Sequence, residues 1–127
     1  MPQDITPRPA GGRSVLVVED EPLIAMELEM MLDQRGYRVL GPVGVLESAL
    51  RLLQDARPDV AILDLNLHGQ LATPIVERLR ALDTPFIIAS ADASVTHGET
   101  IFADHAEWIA KPIDENLLMA ALDRATP

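Results

Sequence analysis

A chain of 127 residues has room for one hydrophobic core and little for a second, and with 48% apolar residues it is not a disordered chain. Its net charge of -10 and the lack of any basic stripe exclude direct binding to nucleic-acid backbones, and the absence of cysteine excludes disulfides and thiol catalysis. No apolar run approaches the roughly 20 residues that cross a bilayer, and the start lacks the basic then apolar character of a signal peptide, so the expectation is a cytoplasmic protein with protein partners or cations.

Residues 1–13 hold Pro2, Pro7, Pro9, Gly11 and Gly12, the composition of an extended or disordered tail. Ser14 to Val18 is a short apolar run of the kind buried on both faces of a sheet, and it ends at Glu19-Asp20-Glu21. Pro22 fits a first helical position, with the acidic residues before it as caps, and Ile24, Leu28, Met31 and Leu32 recur at helical spacing up to a stop at Gly36. Tyr37 to Gly41 reads as a weaker strand broken by Gly41-Pro42, followed by a helical pattern through Val45, Ala49, Leu52, Leu53 and Ala56.

After Pro58-Asp59, Val60 to Leu63 forms a third apolar strand that runs into Asp64. A loop from Leu65 to Ala72 leads to Thr73-Pro74, read as cap and first-turn proline of a helix carrying Ile75, Val76, Leu79 and Leu82. Pro85 to Ala89 is the fourth strand. From Ser90 to Glu107 turn formers dominate and the fourth helix is only weakly patterned. Trp108 to Ala110 is a short fifth strand, and Asp114 can cap a last helix through Leu117, Leu118, Ala121 and Leu122. With one Trp, one Tyr and two Phe, the core must be aliphatic.

Five strands alternating with helical patterns predict an α/β fold, a doubly wound parallel sheet covered on both faces. Ligands of such sheets bind beyond the carboxyl ends of the strands. Glu19, Asp20, Asp64, Ser90 and Lys111 all stand at strand ends and would converge on one rim. Three carboxylates together repel, so they bind a proton or recruit a cation, and oxygen-only ligands favour a hard ion such as magnesium. Such an ion commonly brings phosphate oxygens with it, which makes phosphoryl transfer a fitting reaction, with Asp64 as nucleophile, Lys111 as a point charge and Ser90 as a hydrogen-bonding partner.

From Ser14 to Ala125 the chain resembles the receiver domain of two-component response regulators. The matching pieces are Val17-Val18-Glu19-Asp20-Glu21, Leu63-Asp64-Leu65-Asn66-Leu67, Ala89-Ser90-Ala91 and Ala110-Lys111-Pro112. The resemblance implies the flavodoxin-like strand order 2-1-3-4-5, a receiver domain over residues 14–125, and phosphorylation of Asp64 by a sensor histidine kinase or phosphotransfer protein. It implies that Asp20, Asp64 and the backbone carbonyl of Asn66 hold magnesium, with Glu19 acting directly or through water. Ser90 would couple the phosphoryl group to an aromatic switch at Trp108, where the family usually has Tyr or Phe. A cis peptide at Lys111-Pro112 and output through a downstream protein target are further implications. Pro85 to Asp92 is similar to a subgroup with a Phe-Ala-Thr-Gly-like fourth strand, which implies an irregular fourth helix.

Each assignment has a plainer competitor. Glu19 and Asp20 can simply cap the first helix, Ser90 can satisfy backbone groups, Lys111 can be a surface lysine and Trp108 a core residue. His68, His97 and His105 lack ligand-like spacing and read as loop or surface residues. Met26, Met30 and Met31 read as packing for the first helix or a partner-binding face. Two other functions compete: a pseudo-receiver that binds partners without phosphorylation, and an aspartyl-phosphate phosphatase, against which Asn66 stands where a general acid is needed.

Overall fold

The structure, a computed structural model, describes residues 12–90 and 107–125. In chain order these form β1 (Ser14–Val18), α1 (Pro22–Gln34), β2 (Arg38–Val43), α2 (Leu46–Asp55), β3 (Val60–Asp64), β4 (Asn66–Leu67), β5 (Gln70–Leu71), α3 (Thr73–Ala81), β6 (Phe86–Ser90), β7 (Glu107–Ala110) and α4 (Glu115–Ala125). The weak helix expected between Ser90 and Glu107 and residues 1–11 of the tail expected over residues 1–13 lie outside the described residues.

Five strands pair in parallel in the order β2-β1-β3-β6-β7, which is 2-1-3-4-5 when the sheet strands alone are numbered. Strict alternation divides their side chains between two aliphatic layers. Leu16, Val18, Ala61, Leu63 and Ile88 face the helices α2 and α3, packing on Leu53, Ile75 and Leu79. Val15, Val17, Val60, Ile62 and Ile87 face the other way, onto Leu28 and Leu32 of α1 and Leu118 and Leu122 of α4. The continuous runs of the sequence are continuous because both faces of these strands are buried. Every carboxyl end therefore points to one rim.

Local corrections follow physical rules. β2 does not break at Gly41-Pro42 but continues to Val43. It is an edge strand, so the missing proline N–H need not serve a ladder. Leu16 pairs with Leu40 and Val18 with Val43, so an extra residue on β2 is absorbed as a bulge, with Gly41 at φ +91°. The acidic residues before α1 do not cap it: Glu21 occupies the N-cap without a side-chain bond, and its N–H instead donates to Glu19 Oε2 at 3.2 Å. Thr73 is likewise not a cap but the first residue of α3, with Ala72 at the N-cap and Pro74 in the first turn. Asp114 does cap α4, accepting from the Leu117 N–H at 3.0 Å. Met26 and Met30 are half exposed on α1, and only Met31 of that group packs against the core.

At the opposite end of the sheet Asp59 closes the starts of β1 and β3 together, its Oδ2 accepting from the Ser14 N–H at 2.7 Å while its own N–H donates to the Ser14 carbonyl at 2.9 Å. Asp59→Ala is expected to lower the unfolding free energy by about 1–2 kcal/mol, since Ser14 loses a charged acceptor while Asp59 itself is exposed. At Gly41 an added Cβ would lie 2.8 Å from the Val43 nitrogen and 3.0 Å from the Val17 carbonyl oxygen, both backbone atoms. Gly41→Ala should cost more, about 2–3 kcal/mol from clash and left-handed strain together. Urea unfolding of the two variants measures both.

Candidate functional site

Parallel pairing brings the strand ends level. Asp64 is in register with Ala89 on β6, and Ser90 is in register with Ala110, so Lys111 follows directly beside it. Glu19 and Asp20 leave the end of β1, which lies against β3 on one side and β2 on the other. The Glu19 N–H donates to the Val43 carbonyl at 2.9 Å, which prolongs the β1–β2 contact to the acidic pair. The result is an open cleft of about 370 Å3 whose lining includes Asp20, Asp64, Asn66, His68, Ser90 and Lys111.

Lys111 holds the acidic residues. Its Nζ lies 2.7 Å from Glu19 Oε1 and 3.0 Å from Asp64 Oδ2, with both the lysine and the Glu19 side chains almost fully buried. The ammonium thus serves both carboxylates, and the buried Glu19 Oε1 has it as its close partner. Burial pushes the Glu19 carboxyl up to about 7, against the opposing pull of Lys111. Burial works in the other direction on Lys111, but its two carboxylate partners more than offset it and raise its pKa above the usual lysine value.

Glu19, Asp20 and Asp64 can each turn one carboxylate oxygen to within 4.8 Å of the others, the only such group of potential metal ligands among the described residues. A donor set made only of carboxylate oxygens suits a hard divalent cation, and one lysine ammonium among three carboxylates leaves negative charge for such a cation to neutralise. The residues present therefore fit a metal ion.

The loop after Asp64 carries structure that the sequence reading took for plain loop. Asn66–Leu67 and Gln70–Leu71 form a small antiparallel hairpin closed by His68 and Gly69, with φ of +52° and +85°. The Asn66 N–H donates to Asp64 Oδ1 at 3.2 Å, and the Asn66 side-chain oxygen accepts from the Gly69 N–H at 2.8 Å. Asn66 thus folds its side chain into the turn. His68, expected to be a bystander, sits at the site: its N–H donates to Asp20 Oδ2 at 2.9 Å and its ring Nδ1 lies 3.7 Å from the same oxygen. The available signal was His68-Gly69 as a two-residue turn, but its two-residue flanks were too short to read as strands.

Ser90 is buried at the end of β6, its carbonyl accepting from the Lys111 N–H at 3.0 Å. Trp108 pairs with Ile88 and packs half-buried against the layer under α2 and α3. Ser90 stands two residues beyond Ile88, hence on the same face of the sheet as Trp108. The Lys111-Pro112 peptide is cis, as expected. His97 and His105 lie outside the described residues.

Residues 15–123 match the family model described as response regulator receiver domain. The transcriptional regulatory protein AfsQ1 of Streptomyces coelicolor is 33% identical over 113 residues, covering 86% of this chain and 49% of the relative. The chain spans about half the length of the curated relatives it matches, 46% for the sensory transduction protein LytT of Bacillus cereus. Among solved structures, the signal receiver domain of a modulated diguanylate cyclase from Desulfovibrio desulfuricans superposes with a TM-score of 0.80 at 31% identity, covering 90% of this chain and 93% of that one. SdrG from Sphingomonas melonis gives a TM-score of 0.77 at 37% identity, covering 87% and 93%. With an acidic trio and a lysine gathered at the carboxyl ends of a 2-1-3-4-5 sheet, and with a match spanning nearly the whole chain, this protein belongs to the response regulator receiver domain family.

Proposed function

We propose that Asp64 accepts a phosphoryl group from a phosphohistidine, carried by a sensor histidine kinase or a phosphotransfer protein, in a magnesium-dependent reaction, and that the phosphorylated state signals by binding a downstream protein. Receiver domains are signalling modules rather than enzymes with a separate substrate, and the chain is read in that sense, with residues 14–125 as the receiver and 1–13 as a tail. The observation that carries the reading is the double contact of Lys111 with Glu19 and Asp64 beside an oxygen-only acidic cluster. A lysine drawn between a buried and a partly buried carboxylate at a cleft supports that reading, since holding these charges out of water is costly.

A carboxylate oxygen of Asp64 attacks phosphorus as the phosphorus–nitrogen bond of the donor breaks, and the departing imidazole keeps the bonding electron pair. Magnesium, when bound, neutralises charge on the phosphoryl oxygens, and Glu19, Asp20, Asp64 and the Asn66 carbonyl are the residues that would hold it. Lys111 is placed to exchange part of its contact with Asp64 for a phosphoryl oxygen. Ser90 lines the same cleft and would donate its hydroxyl to that group, with Trp108 on the same face carrying the change to the protein surface. The charge of -10 favours protein partners and disfavours direct nucleic-acid binding. Among the described residues no helix is long and apolar enough to cross a membrane.

Incubation with magnesium and acetyl phosphate is expected to give a hydroxylamine-labile phosphoryl adduct, detected as a mass increase, that is absent from Asp64→Asn. An unmodified wild-type protein would support the pseudo-receiver, and continuous hydrolysis of varied phosphomonoesters would support the phosphatase. Lys111→Met leaves the carboxylates without their ammonium, so it should unfold at lower temperature than wild type by several degrees and gain more thermal stability from added magnesium. Melting curves with and without magnesium check this expectation.

A further inference from the structure

Two of the methionines on α1 have no part in the cleft and little part in the core. Met26 and Met30 stand four residues apart, so their side chains are neighbours on adjacent turns of the helix. With Leu23 they make a stripe at helical spacing, 71%, 50% and 55% exposed in chain order, on the side of α1 opposite the buried Ala25, Leu28 and Leu32. Met31 and Met119 are instead packed against the aliphatic layer beneath α1 and α4. The chain has no cysteine, so thioethers are the only sulfur it offers to an oxidant. The fold thus sorts these four methionines into an open pair and a sheltered pair.

We propose that Met26 and Met30 form a paired modification site, at which hydroperoxides write two sulfoxides on the outward face of α1 while the fold stays intact. A sulfur lone pair attacks one peroxide oxygen as the O–O bond breaks, and the departing hydroxide takes the proton of the transferred hydroxyl to leave as water. Sulfur loses two electrons, the peroxide gains them, and methionine sulfoxide reductases reverse the change. Each event puts a polar oxygen on a side chain that was apolar, so only Leu23 of the outward stripe keeps its character. Leu28 and Leu32, which hold α1 to the sheet, lie on its opposite face and are spared. The site is independent of Asp64 and of any cation bound there.

The test is graded treatment of the intact protein with hydrogen peroxide, with mass spectrometry of its peptides reading each methionine separately. Met26 and Met30 should oxidise faster than Met31 and Met119 by roughly threefold or more, because the packed pair reacts only as the structure opens locally. In unfolding concentrations of urea the four rates should converge. Protein carrying the two sulfoxides should melt within about 2 °C of the untreated form, the scale of a surface change, and should elute earlier from a hydrophobic-interaction column. Sulfoxide reductases of both stereochemical classes should restore its mass and its retention. The double variant Met26→Leu, Met30→Leu keeps the face apolar and should hold its retention through the same treatment. Equal rates for all four methionines in the folded protein, or a preference for Met26 and Met30 that persists in urea, would remove the fold as the cause of selectivity and overturn the site. A large fall in melting temperature on oxidation of the pair, or unchanged retention, would overturn its reading as a change of surface alone.

Discussion

Three carboxylates within reach of one cation, and a single ammonium among them, set the terms for this molecule. In water such a group would spread apart; here Glu19 and Asp64 are held by strands whose other residues are buried, so repulsion cannot be relieved by movement. Lys111 relieves part of it: burial raises the Glu19 carboxyl against the pull of Lys111, and the two carboxylates raise the Lys111 ammonium against its own burial. A site poised in this way responds strongly to any further charge. A cation or a phosphoryl group redistributes contacts that are already made, and the protein need not create new ones.

The scaffold explains why the balance can be kept. Both aliphatic layers are continuous beneath the rim, and parallel pairing sets the β1, β3, β6 and β7 ends side by side. β2 reaches up through its bulge to receive the Glu19 N–H, so the edge strand helps fix the acidic pair rather than only closing the sheet. The β4–β5 hairpin bonds Asp20 through the N–H of its turn residue His68. Strand ends supply the charged groups, while an edge bulge and a tight turn hold the loops that carry them.

Much of this was readable along the chain. Ser14–Val18 and Val60–Asp64 are apolar runs short enough to be strands and too uniform to be half-exposed, and the alternation of strand and helix patterns left few topologies to consider. The rim residues were readable for the same reason, since a charge that ends an apolar run has one place to go. Less was readable where pairing overrides local signals. Gly41-Pro42 looks like a break in isolation, and only the edge position of β2 makes it tolerable. Glu21 and Thr73 carry cap-like neighbourhoods, but the side-chain bonds went elsewhere or were not made.

The sequence by itself determined the strand–helix alternation, the two-faced burial of the central strands and the identity of the residues at their ends, because hydrophobic periodicity is a local property that burial enforces. Only the tertiary structure decided which of those residues share contacts: that Lys111 bridges Glu19 and Asp64, that the Asn66 side chain bonds the hairpin turn, and that His68 meets Asp20 across 48 residues of chain. Those are distances between segments, set by register and by the turn geometry of a hairpin four residues wide in pairing, and no local pattern encodes them.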